Sequence, residues 1–142
     1  MNYKGFTLIE VLAVFVILGA IFIIAIPEVL HLIQNNKKEA LIDNARIMAK
    51  SAESYYTLYL GRRPQEVDGT SMVTLDQLFE EQLLEMIADP FGSGDCSGTN
   101  SYVIIKYRGY RKYDYYVTLN CNDYGVINVL SSELSIDRLE KF

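Results

Sequence analysis

One acid lies at the start of a long segment that has no other charged residue. Glu10 opens an apolar run, and no charged residue, Asn, Gln, Ser or Thr occurs between Val11 and Pro27. A carboxylate held inside hydrocarbon is costly unless a cationic group pairs with it. At the start of a helix the same carboxylate could instead reach water and the positive end of the helix dipole. Glu10 is therefore either an interfacial acid or one half of an ion pair.

The other reactive residue types do not form a catalytic grouping. Carboxylates are scattered along the chain, a single His cannot build a His-based metal site, and two Cys cannot form a zinc cluster. The glycine-rich stretch at 91–98 matches no phosphate-loop pattern. We therefore expect neither catalysis nor a required cofactor. We expect His31, just beyond the apolar run, to be an interfacial side chain.

Two acids beside a flexible loop could supply oxygen ligands to a cation. Asp89 and Asp95 border a Gly/Ser-rich segment, and calcium binds carboxylate and backbone oxygens. The regular ligand spacing of a calcium loop is absent from the sequence, and two acids in such a loop are commonplace. Asp89 and Asp95 are therefore calcium candidates without the pattern that would identify a site.

Basic and aromatic residues alternate over 106–113, and such a mixture can bind nucleic-acid backbones and bases. The same composition is typical of an exposed hairpin whose tyrosines cover a sheet. The net charge of −5 argues against a protein built around broad nucleic-acid binding. We expect an ordinary hairpin, with DNA binding as the alternative. The candidate nucleic-acid contacts are Lys106, Arg108, Arg111 and Lys112.

The apolar run from Phe6 to Val29 has the length of a membrane helix, since about 20 residues at ~1.5 Å each cross the hydrocarbon core. A cleaved secretory signal has a shorter apolar core, of roughly 7–15 residues, and small residues at its cut site. Here the run ends in the sequence IPE at 26–28, which does not suit a signal peptidase. Basic residues lie on both sides, at Lys4 and at 37–38, so charge does not fix the orientation.

The stretch KGFTLIE at residues 4–10, followed by the charge-free segment, resembles the processing site of type IV prepilins and of the pseudopilins of type II secretion and competence systems. The resemblance implies cleavage after Gly5 and N-methylation of the new terminal residue, Phe6, by the same peptidase. It also implies that Glu10 is needed for subunits to join a filament. Pro27 matches the helix-softening proline of that family.

The resemblance predicts an α+β fold of the type IV pilin kind, with a long N-terminal helix packed on a small antiparallel sheet. It divides the chain into a leader at 1–5, a membrane and assembly helix at 6–29, and a globular part at 30–142. The implied location is the cytoplasmic membrane, crossed once with the N-terminus in the cytoplasm, and then a pilus, pseudopilus or cell surface. The implied partners are other pilin or pseudopilin subunits, the prepilin peptidase and the inner-membrane assembly platform.

Cleavage would create an ammonium at Phe6, which could meet the Glu10 carboxylate of a neighbouring subunit during assembly. Two poorly solvated charges attract each other far more strongly than charges in water do. DNA uptake, protein secretion, twitching and adhesion all use this subunit plan. The alternative is a binding protein instead of a filament subunit. It would be an extracytoplasmic binding domain held by an ordinary single-span anchor, and Glu10 would have no role in assembly.

Helical periodicity predicts one helix over about 7–60, bent at Pro27, with an apolar stripe along its second half. Thr74 and Gln77 have the spacing of a capping box, which predicts a short helix from there to about Ala88. The expected stripe of the long helix comprises Leu30, Ile33, Ala40, Leu41, Ala45, Met48, Ala52, Tyr55, Tyr56 and Tyr59.

Period-two patterns predict an antiparallel meander of strands at 102–107, 113–120 and 124–130. Residues 65–71 are expected to form a polar loop, and 131–142 a polar tail with a closing helical turn. In the register that a turn at 108–112 sets, Cys96 and Cys121 lie near the same open end of the hairpin. A disulfide is expected if the domain is outside the cytoplasm, and two unlinked thiols are the alternative.

Overall fold

A computed structural model describes residues 5–142 of the chain. Contacts between residues divide the chain into two units, with the boundary between Asn36 and Lys37. The leader predicted at 1–5 lies outside the described residues except for Gly5. The predicted division into leader, membrane helix and globular part stays a prediction.

Helix α1, Leu8–Leu58, is 51 residues long and confirms the single helix expected over 7–60. Pro27 lies inside it. The large apolar side chains of its first unit are exposed. The most apolar stretch of 18 residues in α1 is not buried anywhere in the structure. This part of α1 is therefore long and apolar enough to cross a membrane.

In the second unit, α1 contributes one face to the protein core. The expected stripe is correct from Leu41 onward, and each Leu or Met fully buried there contributes about 1.5–3 kcal/mol. Leu30, Ile33 and Ala40 are exposed, so their expected burial was wrong. Leu30 and Ile33 belong to the first unit, whose described residues offer no strand to pack against. The buried positions are Leu41, Ile42, Ala45, Met48, Ala49, Ser51, Ala52, Tyr55 and Tyr56.

The remaining chain forms a five-stranded antiparallel sheet in sequential order, which confirms the α+β class. The three strands expected from the sequence are β2, β3 and β4, and they pair as a meander. The predicted hairpin register is also confirmed, since Tyr107 lies opposite Tyr113. The strands are β1 Thr70–Thr74, β2 Tyr102–Gly109, β3 Lys112–Asn120, β4 Tyr124–Leu130 and β5 Glu140–Lys141.

Both edge strands were missed, and each has a physical reason. β1 is too short for a period to show, and it begins inside the region expected to be a loop. The C-terminal tail contains two short 3-10 turns, Ser131–Glu133 and Ile136–Arg138, of which the second agrees with the expected helical turn, and it then pairs as β5, which was not expected. Gly125 permits this return, because a Cβ there would lie 2.7 Å from the Phe142 ring.

Helix α2, Leu75–Glu80, starts where expected but does not continue to Ala88. The capping box between Thr74 and Gln77 is confirmed in both directions. The helix ends early because Gln82 adopts a left-handed φ of 58° and the Leu83 N–H turns back to the carbonyl of Leu78 at 3.0 Å. The Leu83 carbonyl then accepts from the Ser51 hydroxyl on α1 at 3.4 Å. Tertiary contacts thus override the apolar periodicity.

The β2–β3 turn places two bulky residues in left-handed backbone. Tyr110 and Arg111 have φ values of 53° and 61°, and Gly109 before them has 89°. Two-residue turns with both φ values positive match strand twist and favour Asn and Gly. A larger residue there costs on the order of 1 kcal/mol. Tyr110 is also 97 % exposed, so contacts within the chain do not offset this cost.

Cys96 and Cys121 are joined, with sulfurs 1.95 Å apart, and both residues are buried. The Cys96 N–H donates to the Ile87 carbonyl at 2.7 Å, and the Cys121 N–H donates to the Tyr124 carbonyl at 3.2 Å. The bond therefore fastens the loop before β2 to the turn between β3 and β4. Closing a loop with this separation of 25 residues stabilises the fold by about 3–4 kcal/mol in the chain-entropy account.

We expect the core to lose stability in alkaline solution through Tyr56. This residue is fully buried, and its hydroxyl lies 3.2 Å from Ser71 Oγ. Burial raises the pKa of Tyr56 above its ordinary value of 10.0, so the folded chain keeps a proton that the unfolded chain begins to release there. The free energy of unfolding should therefore fall as the pH rises above about 10.

Tyr56→Phe should show a smaller alkaline decline, although losing the hydroxyl contact lowers its stability at neutral pH by about 0.5–1.5 kcal/mol. Urea unfolding of the full chain in detergent micelles, at neutral pH and above the ordinary tyrosine pKa, measures both quantities. An equal alkaline decline in the two proteins would contradict the assignment to Tyr56.

Candidate functional site

The start of α1 is built as a reciprocal hydrogen-bonded cap. Thr7 precedes the first helical residue, and its backbone N–H donates to Glu10 Oε2 at 3.0 Å. In return, the Glu10 N–H donates to Thr7 Oγ1 at 3.3 Å. This is the capping-box arrangement, with the acid at the third helical position. The cap holds the Glu10 carboxylate against the first turn, where the helix dipole favours a negative charge.

The residues just before the cap are exposed and non-helical. Phe6 is 87 % exposed, and Gly5 is exposed as well. Phe6 and Val11 line the same apolar groove, at the positions that form a hydrophobic staple across a helix start. The Gly5–Phe6 peptide therefore lies in accessible, irregular backbone, which is the form that a peptidase can bind as an extended segment.

Nothing in the described chain requires glycine at position 5. A Cβ added to Gly5 would have no atom of the described residues within 4 Å. A requirement for glycine there would therefore come from a second molecule that approaches the backbone closely.

The cap leaves part of the Glu10 carboxylate available. An ionised carboxylate offers about four lone-pair positions, and among the described residues only the Thr7 N–H takes one of them. Glu10 is exposed, in a segment whose other described side chains up to Pro27 are uncharged. The arrangement can therefore present an oriented anion to a cationic donor. Pro27 contributes no charge, and its missing N–H removes one hydrogen bond of α1.

The two calcium candidates have different surroundings. Asp89 is buried, and its carboxylate accepts from the Phe91 N–H at 2.9 Å and from the Asn122 N–H at 3.2 Å. Asp95 is exposed, and it pairs with Ala88 through a backbone bridge. Within residues 5–142, no group of three or more His, Cys, Asp or Glu could hold a metal ion. The Asp89 carboxylate thus links the turn at 89–92 to the turn before β4.

The four nucleic-acid candidates divide into two pairs. Lys106 lies 3.8 Å from Asp68, and Arg108 forms a 2.5 Å hydrogen bond with Asp114. That hydrogen bond, together with the charge of Asp114, raises the pKa of Arg108. These two cations are partly neutralised by neighbouring acids, one in the loop before β1 and one on β3. The other two, Arg111 and Lys112, are exposed at the β2–β3 turn.

Two structural features were missed by sequence reasoning. Thr7 was not recognised as the partner of Glu10, although the spacing T-x-x-E before an apolar run is a capping-box signal. An open groove lined by residues between 79 and 85 was also missed, because α2 was expected to continue through this segment. No sequence pattern marks the residue at which that helix stops.

Comparison with known proteins supports the interpretation of the N-terminus. Residues 1–26 match a family model described as the prokaryotic N-terminal methylation motif. This match, together with the α+β fold and its long apolar N-terminal helix, supports a resemblance to type IV pilin-like precursors. It confirms the resemblance to the type IV pilin and pseudopilin family without specifying a branch of that family. No curated protein and no solved structure matches the chain.

Asp89→Ala should destabilise the fold by about 1.5–3 kcal/mol, because two backbone N–H groups lose a charged acceptor. Asp95→Ala, which removes an exposed acid from the same loop, should change stability by less than about 0.5 kcal/mol. Urea unfolding of both variants, with and without added calcium, measures these effects. A large calcium-dependent stabilisation of the wild type that both substitutions abolish would overturn the structural role given to Asp89.

Proposed function

We propose that this chain is a structural subunit of a type IV pilus or pseudopilus. A peptidase cuts it between Gly5 and Phe6 and methylates the new amino group of Phe6. The subunit then joins a filament through α1, and Glu10 pairs with the N-terminal amine of a neighbouring subunit. The observation that carries this proposal is the match of residues 1–26 to the methylation motif, with a capped carboxylate at the start of an apolar helix.

The cap explains how one carboxylate could serve both a helix and a neighbour. One oxygen of Glu10 accepts from Thr7 of its own chain, which fixes the direction of the side chain. The other oxygen is then oriented without further loss of rotamer freedom. A methylated amino terminus remains a cation with N–H donors, so it can form a charge-assisted hydrogen bond to that oxygen.

The surroundings make this pairing selective for the assembled state. In a single subunit the carboxylate at the helix start can reach water or lipid headgroups. Between packed apolar helices it would be poorly solvated, and an unpaired charge there costs about 3–5 kcal/mol. A neighbour stacked in another register would leave the amine and the carboxylate apart. The pair therefore favours one axial position of each incoming subunit.

The same proposal places the subunit in the cytoplasmic membrane before assembly, with its N-terminus in the cytoplasm and its sheet domain outside. The exposed apolar part of α1 supports a single crossing. The disulfide supports an oxidising location for the second unit. The partners on this account are other pilin or pseudopilin subunits, the prepilin peptidase and the inner-membrane assembly platform. The competing proposal is a single-span anchored binding domain.

Processing gives the first prediction for this function. Mature protein purified from its native host should lack residues 1–5 and carry one added methyl group on Phe6. The reason is that the same peptidase cuts the bond between Gly5 and Phe6 and methylates the amino group that the cut exposes. Intact-mass analysis with N-terminal sequencing measures both changes. A mature chain that retains residues 1–5 and carries no methyl group would favour the anchored binding domain instead.

Substitutions at Glu10 separate its charge from its capping role. Glu10→Gln keeps an oxygen for the Thr7 N–H but removes the charge, whereas Glu10→Val removes both. Both variants should insert into the membrane, and both should lose filament incorporation by about 100-fold or more, since at least about 3 kcal/mol is lost at each contact. Immunoblots of sheared filaments and of membranes measure the two quantities.

Glu28→Gln is the matched control, because it removes the acid at the other end of the apolar run. It should incorporate normally. Normal incorporation of Glu10→Gln, with loss of incorporation in Glu10→Val, would show that the cap, and not an ion pair, is what assembly requires.

A further inference from the structure

In the second unit, an acidic segment of the chain is followed by a basic segment. Between Arg63 and Lys106 there are eight acids and no Lys or Arg. Four of the basic residues then follow within the seven residues from Lys106 to Lys112. Both segments belong to the second unit. The acidic segment contains α2 and the loop after it, and the basic segment contains the β2–β3 turn.

The acidic segment forms an open groove with an apolar floor, which we call the α2 groove. Its volume is about 520 Å³. Phe79 is 49 % exposed, although it is a large apolar side chain. Within residues 5–142, Glu80 and Glu85 have no ion-pair partner, whereas Glu81 accepts from the Tyr59 hydroxyl at 2.7 Å. The groove is lined by Phe79, Glu80, Gln82, Leu83, Leu84 and Glu85.

The basic segment ends in a projecting turn, which we call the hairpin tip, comprising Tyr110, Arg111 and Lys112. Tyr110 is 97 % exposed in left-handed backbone, so the chain holds an aromatic ring in solvent against its local preference. Arg111 and Lys112 are exposed and form none of the ion pairs found in the described part of the chain. The tip thus presents one aromatic ring and two cations that have no ion-pair partner within residues 5–142.

We propose that the hairpin tip of one copy docks in the α2 groove of a second copy. The Tyr110 ring would pack against Phe79 and Leu84, while Arg111 and Lys112 would face Glu80 and Glu85. This inference rests on the proposed function, because the second copy is a neighbouring subunit of the filament. Aromatic rings and Arg are the side chains that dominate interface energetics when a partner excludes water from them.

The fold keeps the two surfaces apart within one chain. The tip follows the end of β2 at Gly109, whereas α2 follows Thr74, which pairs with Tyr102 at the opposite end of β2. Two different surfaces that complement each other give a head-to-tail contact between copies. Such a contact extends into an open helical array when its rotation does not close a ring. That geometry is the one a filament requires.

A second copy accounts for both surfaces, whereas a nucleic acid accounts for one. DNA would attract Arg111 and Lys112 but would be repelled by the acids of the α2 groove. The groove contains no Lys or Arg in its lining, so its complement must be cationic and partly apolar. The hairpin tip has that composition.

The test is site-specific photo-crosslinking of the full-length chain in its native host, with a benzophenone amino acid in place of Tyr110. The expected result is an adduct of twice the subunit mass, with its crosslink mapped by mass spectrometry to 79–85 of a second copy. An adduct mapped elsewhere, an adduct with DNA, or no adduct would overturn the proposal. The same probe in place of Ile127, an exposed residue of β4, is the control and should not reach the groove.

Charge exchange tests the electrostatic part in the same strain. Arg111→Glu with Lys112→Glu should lower the adduct yield at least fivefold, and Glu80→Lys with Glu85→Lys should do the same. Combining all four changes should restore at least half of the yield, because the paired signs are exchanged. Failure of the combined protein to recover, when each pair alone remains folded by urea unfolding, would overturn the pairing.

The outcomes separate this inference from the proposed function. Filaments that require Glu10 but show no tip-to-groove adduct would remove the docking contact alone. A mapped adduct, together with normal incorporation of Glu10→Val into sheared filaments, would keep the docking contact and remove the proposed role of Glu10 in assembly.

Discussion

The constraint on which the rest depends is a single carboxylate at the entrance of an apolar helix. Glu10 is held there by the backbone N–H of Thr7, which caps the helix and orients the acid together. Only part of the carboxylate is used by this cap. A cation supplied by another molecule would complete its coordination, and on our proposal that cation is the amino terminus which processing at Phe6 creates. Cutting the chain and making the assembly partner are then the same chemical event.

The second half of α1 has a different role, because its buried face forms part of the protein core. Leu41, Met48 and Tyr56 are fully buried. The disulfide between Cys96 and Cys121 links the loop before β2 to the turn between β3 and β4. Exposed charged residues at the β2–β3 turn and around the end of α2 lie outside this core, namely Arg111, Lys112, Glu80 and Glu85. A subunit of this design keeps its folding determinants inside and its proposed contacts at the surface.

Sequence reasoning recovered the parts of the fold that a long or regular pattern specifies. The apolar run, the capping box at Thr74 and the β2–β3 register all come from local rules, and the structure confirms them. Both edge strands and the end of α2 were missed, because tertiary contacts decide them. No local sequence pattern predicts the left-handed backbone at Gln82 or the close approach of Phe142 to Gly125, whereas the apolar periodicity predicts a longer helix. At the candidate site, the motif around Glu10 was readable, whereas the surfaces around Phe79 and Tyr110 needed coordinates.

Electron cryomicroscopy of native filaments, at a resolution that shows side chains, tests the central claim most directly. The account predicts that the Phe6 amino nitrogen of one subunit lies about 3 Å from a Glu10 carboxylate oxygen of its neighbour. It also predicts that the Thr7 N–H still donates to the other oxygen of that carboxylate. A filament in which the Phe6 amine and the neighbouring carboxylate are separated, each with another partner, would contradict it.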